Sequence, residues 1–300
     1  MKALGYFGAP AVPVLIRVMM DADRKPYEIG RSSFDTAFVR IGEPAAAPLA
    51  ELVSSRTSSD MLDRVLGHLA ALGPAAARTQ PALMARIRTL NPDAQVAALQ
   101  AIKATGEKTP ERLALLLDLS ANGSTSSVRA EAMRGLLPFG AAVRPASSVL
   151  TAAIASPDTL LRAAALNVLG GDDPYEPRAV GSVRLPGIGT PSEAVPSLIR
   201  MLSDSTWSQK ASLALRFAGP EAVPHLKAVL ASGRDPARLE VLDILANTDP
   251  RTMGTVALVP DVVRSLSGLD TMSVRSAGFR ALQHIGTATP AAKADRKSVV

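Results

Sequence analysis

The sequence predicts an all-α chain, an α-α superhelix (solenoid) of about eight or nine stacked helix pairs. Three observations carry this expectation. Apolar residues recur at helical spacing along most of the 300 residues. Glycine followed by proline punctuates these stretches at a nearly constant interval. The apolar content, 47%, is almost wholly aliphatic, with aromatics at 3%. A chain this long can bury a large core. A core of Leu, Val, Ala, Ile and Met suits closely stacked helices better than a β-sandwich, which favours β-branched and aromatic residues.

The punctuation comes first in the argument. Gly8 is followed by Pro10 and Pro13, Gly42 by Pro44 and Pro48, Gly73 by Pro74, Gly106 by Pro110 and Gly140 by Pro145. Gly219 is followed by Pro220 and Pro224, and Gly286 by Pro290. Glycine past a helix end can take a left-handed conformation that closes the last turn. Proline fits the first turn of the next helix, where its missing N–H has no partner to lose. Gly then Pro therefore marks helix end, turn and helix start. The intervals from Gly8 to Gly42, Gly73, Gly106, Gly140 and Gly170 are 34, 31, 33, 34 and 30 residues. Asn247, ahead of Pro250, is expected to replace glycine in a further unit.

Between these marks the helix period is plain. Ala132, Met133, Leu136 and Leu137 share a stripe, as do Leu161, Ala164, Ala165 and Val168, and Val195, Leu198, Ile199 and Leu202. No segment alternates in the manner of a strand. Acidic residues precede many of the first helices: Asp60, Asp93, Asp158, Asp204, Asp235 and Asp270. These are expected to cap free N–H groups. Arg64, Arg162, Arg238 and Arg275 follow within five residues and are expected to pair across a turn or with the neighbouring repeat.

The pattern of Asp, then Val-Arg or Leu-Arg, then a Gly-terminated helix, then Ala-Val-Pro-x-Leu resembles the HEAT repeat. The likeness is nearest to the short bacterial HEAT-like type also found in phycobilin lyases. It is carried by Val128-Arg129 with Phe139-Gly140, Val274-Arg275 with Ile285-Gly286, Ala11-Val12-Pro13 and Ala222-Val223-Pro224. The resemblance implies a helix-pair solenoid over nearly the whole chain. It leaves function open, because scaffolds, transport receptors, lyase subunits and DNA-binding enzymes share the architecture.

The domain expectation is one array over residues 1–294, cut at both ends, with a loop insertion at 171–192 and a non-native tail at 295–300. The Gly- and Pro-dense insertion carries Asp172, Asp173, Tyr175, Glu176, Arg178 and Arg184. It is either a tolerated insertion or a partner-contacting loop. Met1 falls close to the end of a first helix. One back-translation of Asp295–Val300 looks like a common sequencing adapter, which points to a reading frame from a fragmentary metagenomic assembly; the alternative is a natural basic tail. With the true start missing, the compartment is left open, cytoplasmic by default.

Chemistry is sparse. There is no cysteine, so thiol nucleophiles, disulfides and thiolate metal sites are excluded. His68, His225 and His284 fall in different units, and no His-Glu dipeptide occurs. That argues against a metal site and against likeness to the di-iron HEAT hydroxylases. No cofactor, no catalytic residue and no membrane span are expected. The expected function is a non-catalytic scaffold, a monomer binding a protein or peptide on the concave face that second helices usually line. Candidate contacts are Arg17, Arg86, Arg88, Arg200, Lys227 and Arg264 on second helices, with Tyr175, Arg178 and Arg184 in the insertion. Two alternatives stand beside this. One is nucleic-acid binding, as in HEAT-like DNA glycosylases, with these cations and Arg112 tracking phosphates. Against it, Glu51, Glu111 and Asp118 share the same helices, and no aromatic cluster offers to hold an unstacked base. The other is a chromophore-lyase-like enzyme subunit, which rests on the resemblance alone.

Overall fold

The computed structural model describes residues 4–22, 31–54, 57–171, 189–232, 237–266 and 271–287. The described residues are all-α, and the sole extended pairing among them is an isolated bridge between Thr190 and Ala218. Contacts divide the chain into two compact units, Met1–Gly135 and Leu136–Val300.

The first unit holds α1 (Val12–Ala22), α2 (Arg31–Ile41), α3 (Glu43–Glu51), α4 (Ser59–Leu72), α5 (Gln80–Arg86), α6 (Pro92–Ala104), α7 (Pro110–Asn122) and α8 (Ser126–Leu136), which closes it. Alternate helices pack together: α2 on α4, α4 on α6, and α1 on α3. Leu15, Met19, Phe34, Phe38, Leu49, Leu66, Leu69 and Ile102 are buried there. Phe38 lies 5.2 Å from the His68 ring, which is itself buried.

The second unit holds α9 (Ser147–Ala155), α10 (Thr159–Gly170), α11 (Val195–Met201), α12 (Ser208–Leu215), α13 (Val223–Ala231), α14 (Ala237–Asn247), the single turn α15 (Pro250–Met253), α16 (Val259–Ser265) and α17 (Met272–Thr287). Here α10, α12, α14 and α17 pack in succession. So do α9, α11, α13 and α16, and each of these also packs on the helix of the first series that follows it. Leu150, Leu166, Leu198, Leu215, Leu226, Leu242, Ile244 and Ile285 lie in its core.

The turns justify most of the glycine reading and sharpen it. Gly8, Gly42, Gly73, Gly106 and Gly140 all have positive φ. At Gly140 φ is 55° and ψ is −130°. This is not the left-handed helical basin that was expected but a region essentially reserved for glycine. A Cβ at Gly140 would meet nothing within 4 Å, so the demand is purely torsional. Three expectations are corrected. Gly219 is extended, with φ −79°. Gly286 lies inside α17. Asn247 ends α14 without positive φ, since no described non-glycine residue has it. In that unit Asp249 caps α15 instead, and Gly254 supplies the left-handed turn.

Caps also differ in detail. Asp158 caps α10, accepting from Leu160 and Leu161 N–H at 2.8 and 3.3 Å. Ser58 and Asn91 cap α4 and α6, which leaves Asp60 and Asp93 inside the first turn, where they complement the helix dipole. Asp204 accepts from Thr206 N–H ahead of α12. Asp235 and Asp270 lie outside the described residues. Arg162 donates to the Ser156 carbonyl at 2.6 Å, at the end of α9, so it does bridge the turn between helices.

Ser126–Ala155 is the one described segment with the length and composition of a membrane span. It is interrupted at Gly140, whose φ and ψ are non-helical. It also carries Arg129, Glu131, Arg134 and Arg144.

Candidate interaction surface

Polar bonds between helices give the candidate surface its framework. Asp35–His68, Asn167–Lys210 and Asp243–Arg280 join residues 33, 43 and 37 apart at 2.6, 2.9 and 2.8 Å. The first joins α2 to α4, the second α10 to α12 and the third α14 to α17.

Arg86, at the end of α5, donates to the carbonyls of Ala50 and Val53, both at 2.7 Å. Those carbonyls belong to the last turn of α3 and the residues just past it, where helix carbonyls run short of i+4 donors. A guanidinium placed there closes the preceding helix. Arg86 is therefore a positioning residue of the fold, half-buried, rather than an open contact. Arg112 is 1% exposed and donates to the Glu107 carbonyl at 2.6 Å. Burial pushes its guanidinium below the ordinary pKa. It cannot track a phosphate from there.

Arg88 pairs with Asp118 on α7. Hydrogen bonds from Asn122 and from Arg88 hold the Asp118 carboxyl below its ordinary pKa. Arg17 on α1 is exposed. Of the first-unit cations in the candidate set, Arg17 and Arg88 reach solvent, and Arg88 is already matched to a carboxylate.

In the second unit the set converges. Asp261, on α16, is 4% exposed. Arg264 donates to one of its oxygens at 2.9 Å, and Lys227 of α13 stands 3.7 Å from the other. Both cations keep most of their side chains in solvent, at 70% and 59% exposure. A buried carboxylate requires pairing, and here it anchors two cations at one spot with a net positive charge left over. Arg200, on α11, is exposed and donates to Ser197 of its own helix at 3.0 Å. Since α11 packs on α13 and α13 on α16, Arg200, Lys227 and Arg264 stand on three successive helices of one series. Tyr175, Arg178 and Arg184 lie outside the described residues, as does all of the insertion except Gly171 and residues 189–192. Its far end is tied down where Thr190 donates from N–H to the Phe217 carbonyl at 3.1 Å and from Oγ1 to the Ala214 carbonyl at 2.6 Å.

Sequence reasoning missed two features. Asp261 follows Val259-Pro260 at the place where His225 follows Val223-Pro224. Only the substitution of an acid at a repeat position hinted at its role. The second is a groove of about 320 Å³ lined by Ala246, Asn247, Arg280, Gln283, His284 and Thr287. Four of its lining residues, Arg280, Gln283, His284 and Thr287, fall at helical spacing on α17. The Arg280 and His284 side chains are engaged by Asp243 and by the Thr248 carbonyl at 2.8 and 3.1 Å. Among the described residues, no three His, Asp or Glu side chains gather where they could hold a metal ion.

Comparison of the chain with protein-family models and with curated proteins returns no match.

Proposed function

We propose that this chain is a HEAT-type solenoid that works as a non-catalytic scaffold, binding a protein or peptide on the face formed by its second helices. The observation that carries the reading is the succession α11, α13 and α16, with Arg200, Lys227 and Arg264 at its surface. Lys227 and Arg264 are held in place by the buried Asp261. Preorganised cations lose less side-chain freedom on binding, which favours recognition of acidic groups on a partner. Neighbour-on-neighbour packing with polar bonds at one-repeat separation supports the solenoid part of the proposal.

The test is a pull-down with the full chain at low and high salt, beside the variant Arg200→Glu/Lys227→Glu/Arg264→Glu. The captured protein is then titrated against both baits. A protein that survives high salt and binds the variant at least about tenfold more weakly, roughly 1.4 kcal/mol, is the expected result. Equal binding by both baits overturns the assignment of the face. Recovery of nucleic acid alone, lost as salt rises, moves the reading to phosphate tracking. Exposed Arg17 and the net charge of +6 favour that second reading.

A further inference from the structure

Helices α11, α13 and α16 share one register. Each opens on Val-Pro, at Val195-Pro196, Val223-Pro224 and Val259-Pro260. Three residues beyond the valine stand Leu198, Leu226 and Val262, each 0% exposed. Two residues further stand Arg200, Ala228 and Arg264, all exposed. Two residues are about 200° of helix, so burial of the first row sets the second on the solvent side. Across three packed helices that row reads arginine, alanine, arginine. One position before each arginine stands an apolar side chain, half-buried Ile199 and exposed Val263.

The charges along the row can be counted. Lys227 and Arg264 share the buried Asp261, so that end carries one net positive charge. Arg200 donates to the neutral Ser197 hydroxyl and carries one at the other end. Glu193 and Glu221 are exposed just ahead of α11 and α13, at the opposite ends of those helices from the row. Two carboxylates laid over the row match it. A phosphate dianion exceeds the charge at either end. A nucleic-acid backbone broad enough to cover the helices meets the two glutamates as well.

The spacing says what chain conformation brings two carboxylates to the row. Packed helices lie ~8–10 Å apart, which puts Arg200 and Arg264 two steps, ~16–20 Å, apart. A polyproline II segment rises ~3.1 Å per residue with three residues per turn. Every third side chain therefore returns to the same side one helix step further on. Two turns of an α-helix rise ~11 Å, past that step.

On the reading of this face as a protein-binding surface, we propose that its ligand is an extended acidic peptide segment laid across α11, α13 and α16. Carboxylates at i and i+6 meet Arg200 and Arg264, and an apolar side chain at i+3 sits over Ala228.

Fluorescence anisotropy on the full chain tests this with two labelled peptides of one composition, Glu-Pro-Pro-Leu-Pro-Pro-Glu and Glu-Glu-Pro-Leu-Pro-Pro-Pro, at one low salt concentration. The first is expected to bind at least about tenfold more tightly than the second. Arg200→Gln and Arg264→Gln are each expected to remove that preference. Ala228→Glu, which sets a like charge between the two arginines, is expected to abolish binding of the first peptide. Circular dichroism checks that all three variants are folded. Equal binding of the two peptides overturns the proposal, because the cations then act as diffuse charge. A preference that survives in every variant overturns it too, as does binding of neither peptide. If the pull-down still captures a protein that Arg200→Glu/Lys227→Glu/Arg264→Glu weakens, the face remains a docking surface for another chemistry. Loss of that capture as well removes both.

Discussion

Helices α10 and α13 lie in the same unit and are built from the same residue types, yet they meet very different surroundings. In α10 every residue from Ala164 to Gly170 is buried, including Asn167, which accepts from Lys210. In α13 the buried residues are Leu226, Val229 and Leu230, on one stripe, while His225, Lys227 and Ala228 are exposed. The first kind of helix is enclosed by its neighbours in the series and by its pair-mates. The second offers a polar flank to solvent. Between these two helices, fold specification is therefore concentrated in α10 and surface chemistry in α13. The same substitution should be lethal in one and silent in the other.

The largest expected effect breaks the comparison directly. Ala165→Glu in α10 adds four heavy atoms, three of them a carboxylate, at a fully buried site. An unpaired buried charge with overpacking is expected to cost about 4 kcal/mol or more, enough to remove cooperative unfolding. Ala228→Glu in α13 is expected to change stability by no more than about 0.5 kcal/mol. Urea denaturation followed by circular dichroism measures both. Equal losses in the two would mean that the exposed flank of α13 is covered, and the division between the two helices would fail.

How much of this was legible beforehand depended on whether a residue's demand was local. Gly8, Gly42, Gly73, Gly106 and Gly140 announce their turns because the backbone conformation there excludes side chains. Helix stripes are equally local, and the buried positions Leu161, Ala164, Ala165 and Val168 follow from spacing alone. Gly219 and Asn247 misled because a turn can also be closed by extended backbone or by a short capped helix such as α15. The candidate surface was the least readable part. Arg86 and Arg17 look alike in sequence. What separates them is a pair of carbonyls 33 and 36 residues before Arg86. Lys227 likewise meets Asp261 only when α13 packs on α16, whereas Arg264 stands three residues from Asp261 on the same helix.

A middle-sized effect sharpens the contrast between turn and helix. Gly140 and Gly286 occupy matching places in the repeat pattern, but only Gly140 has positive φ. Neither has an atom within 4 Å of an added Cβ, so sterics cancel from the comparison. Gly140→Ala is expected to destabilise by roughly 1–3 kcal/mol through backbone strain alone. Gly286→Ala, in helical backbone, is expected to be neutral or to stabilise by up to about 1 kcal/mol. Thermal melts of the two variants read the difference as shifts of opposite sign, or as one fall and no change. A fall of similar size in both would show that Gly286 closes a turn after all.

The smallest effect concerns a charge that the enclosed series buries only in part. Glu240 on α14 has its carboxyl pushed above the ordinary value of 4.5, first by burial and then by the neighbouring Asp243 charge, against an opposing pull from Arg216. A carboxyl with a raised folded-state pKa holds its proton more tightly in the folded chain than in the unfolded one. Its contribution to stability therefore falls as pH rises from 4.5 through the folded-state value, and is flat above it. Glu240→Gln removes the ionisation and keeps the shape. The variant should be more stable than the wild type at neutral pH, and the gap should close as the pH drops below 4.5. Denaturation midpoints for both chains across the acid range measure the gap. If the gap is the same at every pH, ionisation of Glu240 opposes folding nowhere. If the variant is the less stable at neutral pH, the Arg216 attraction outweighs burial, and even the enclosed series keeps its carboxylates well solvated.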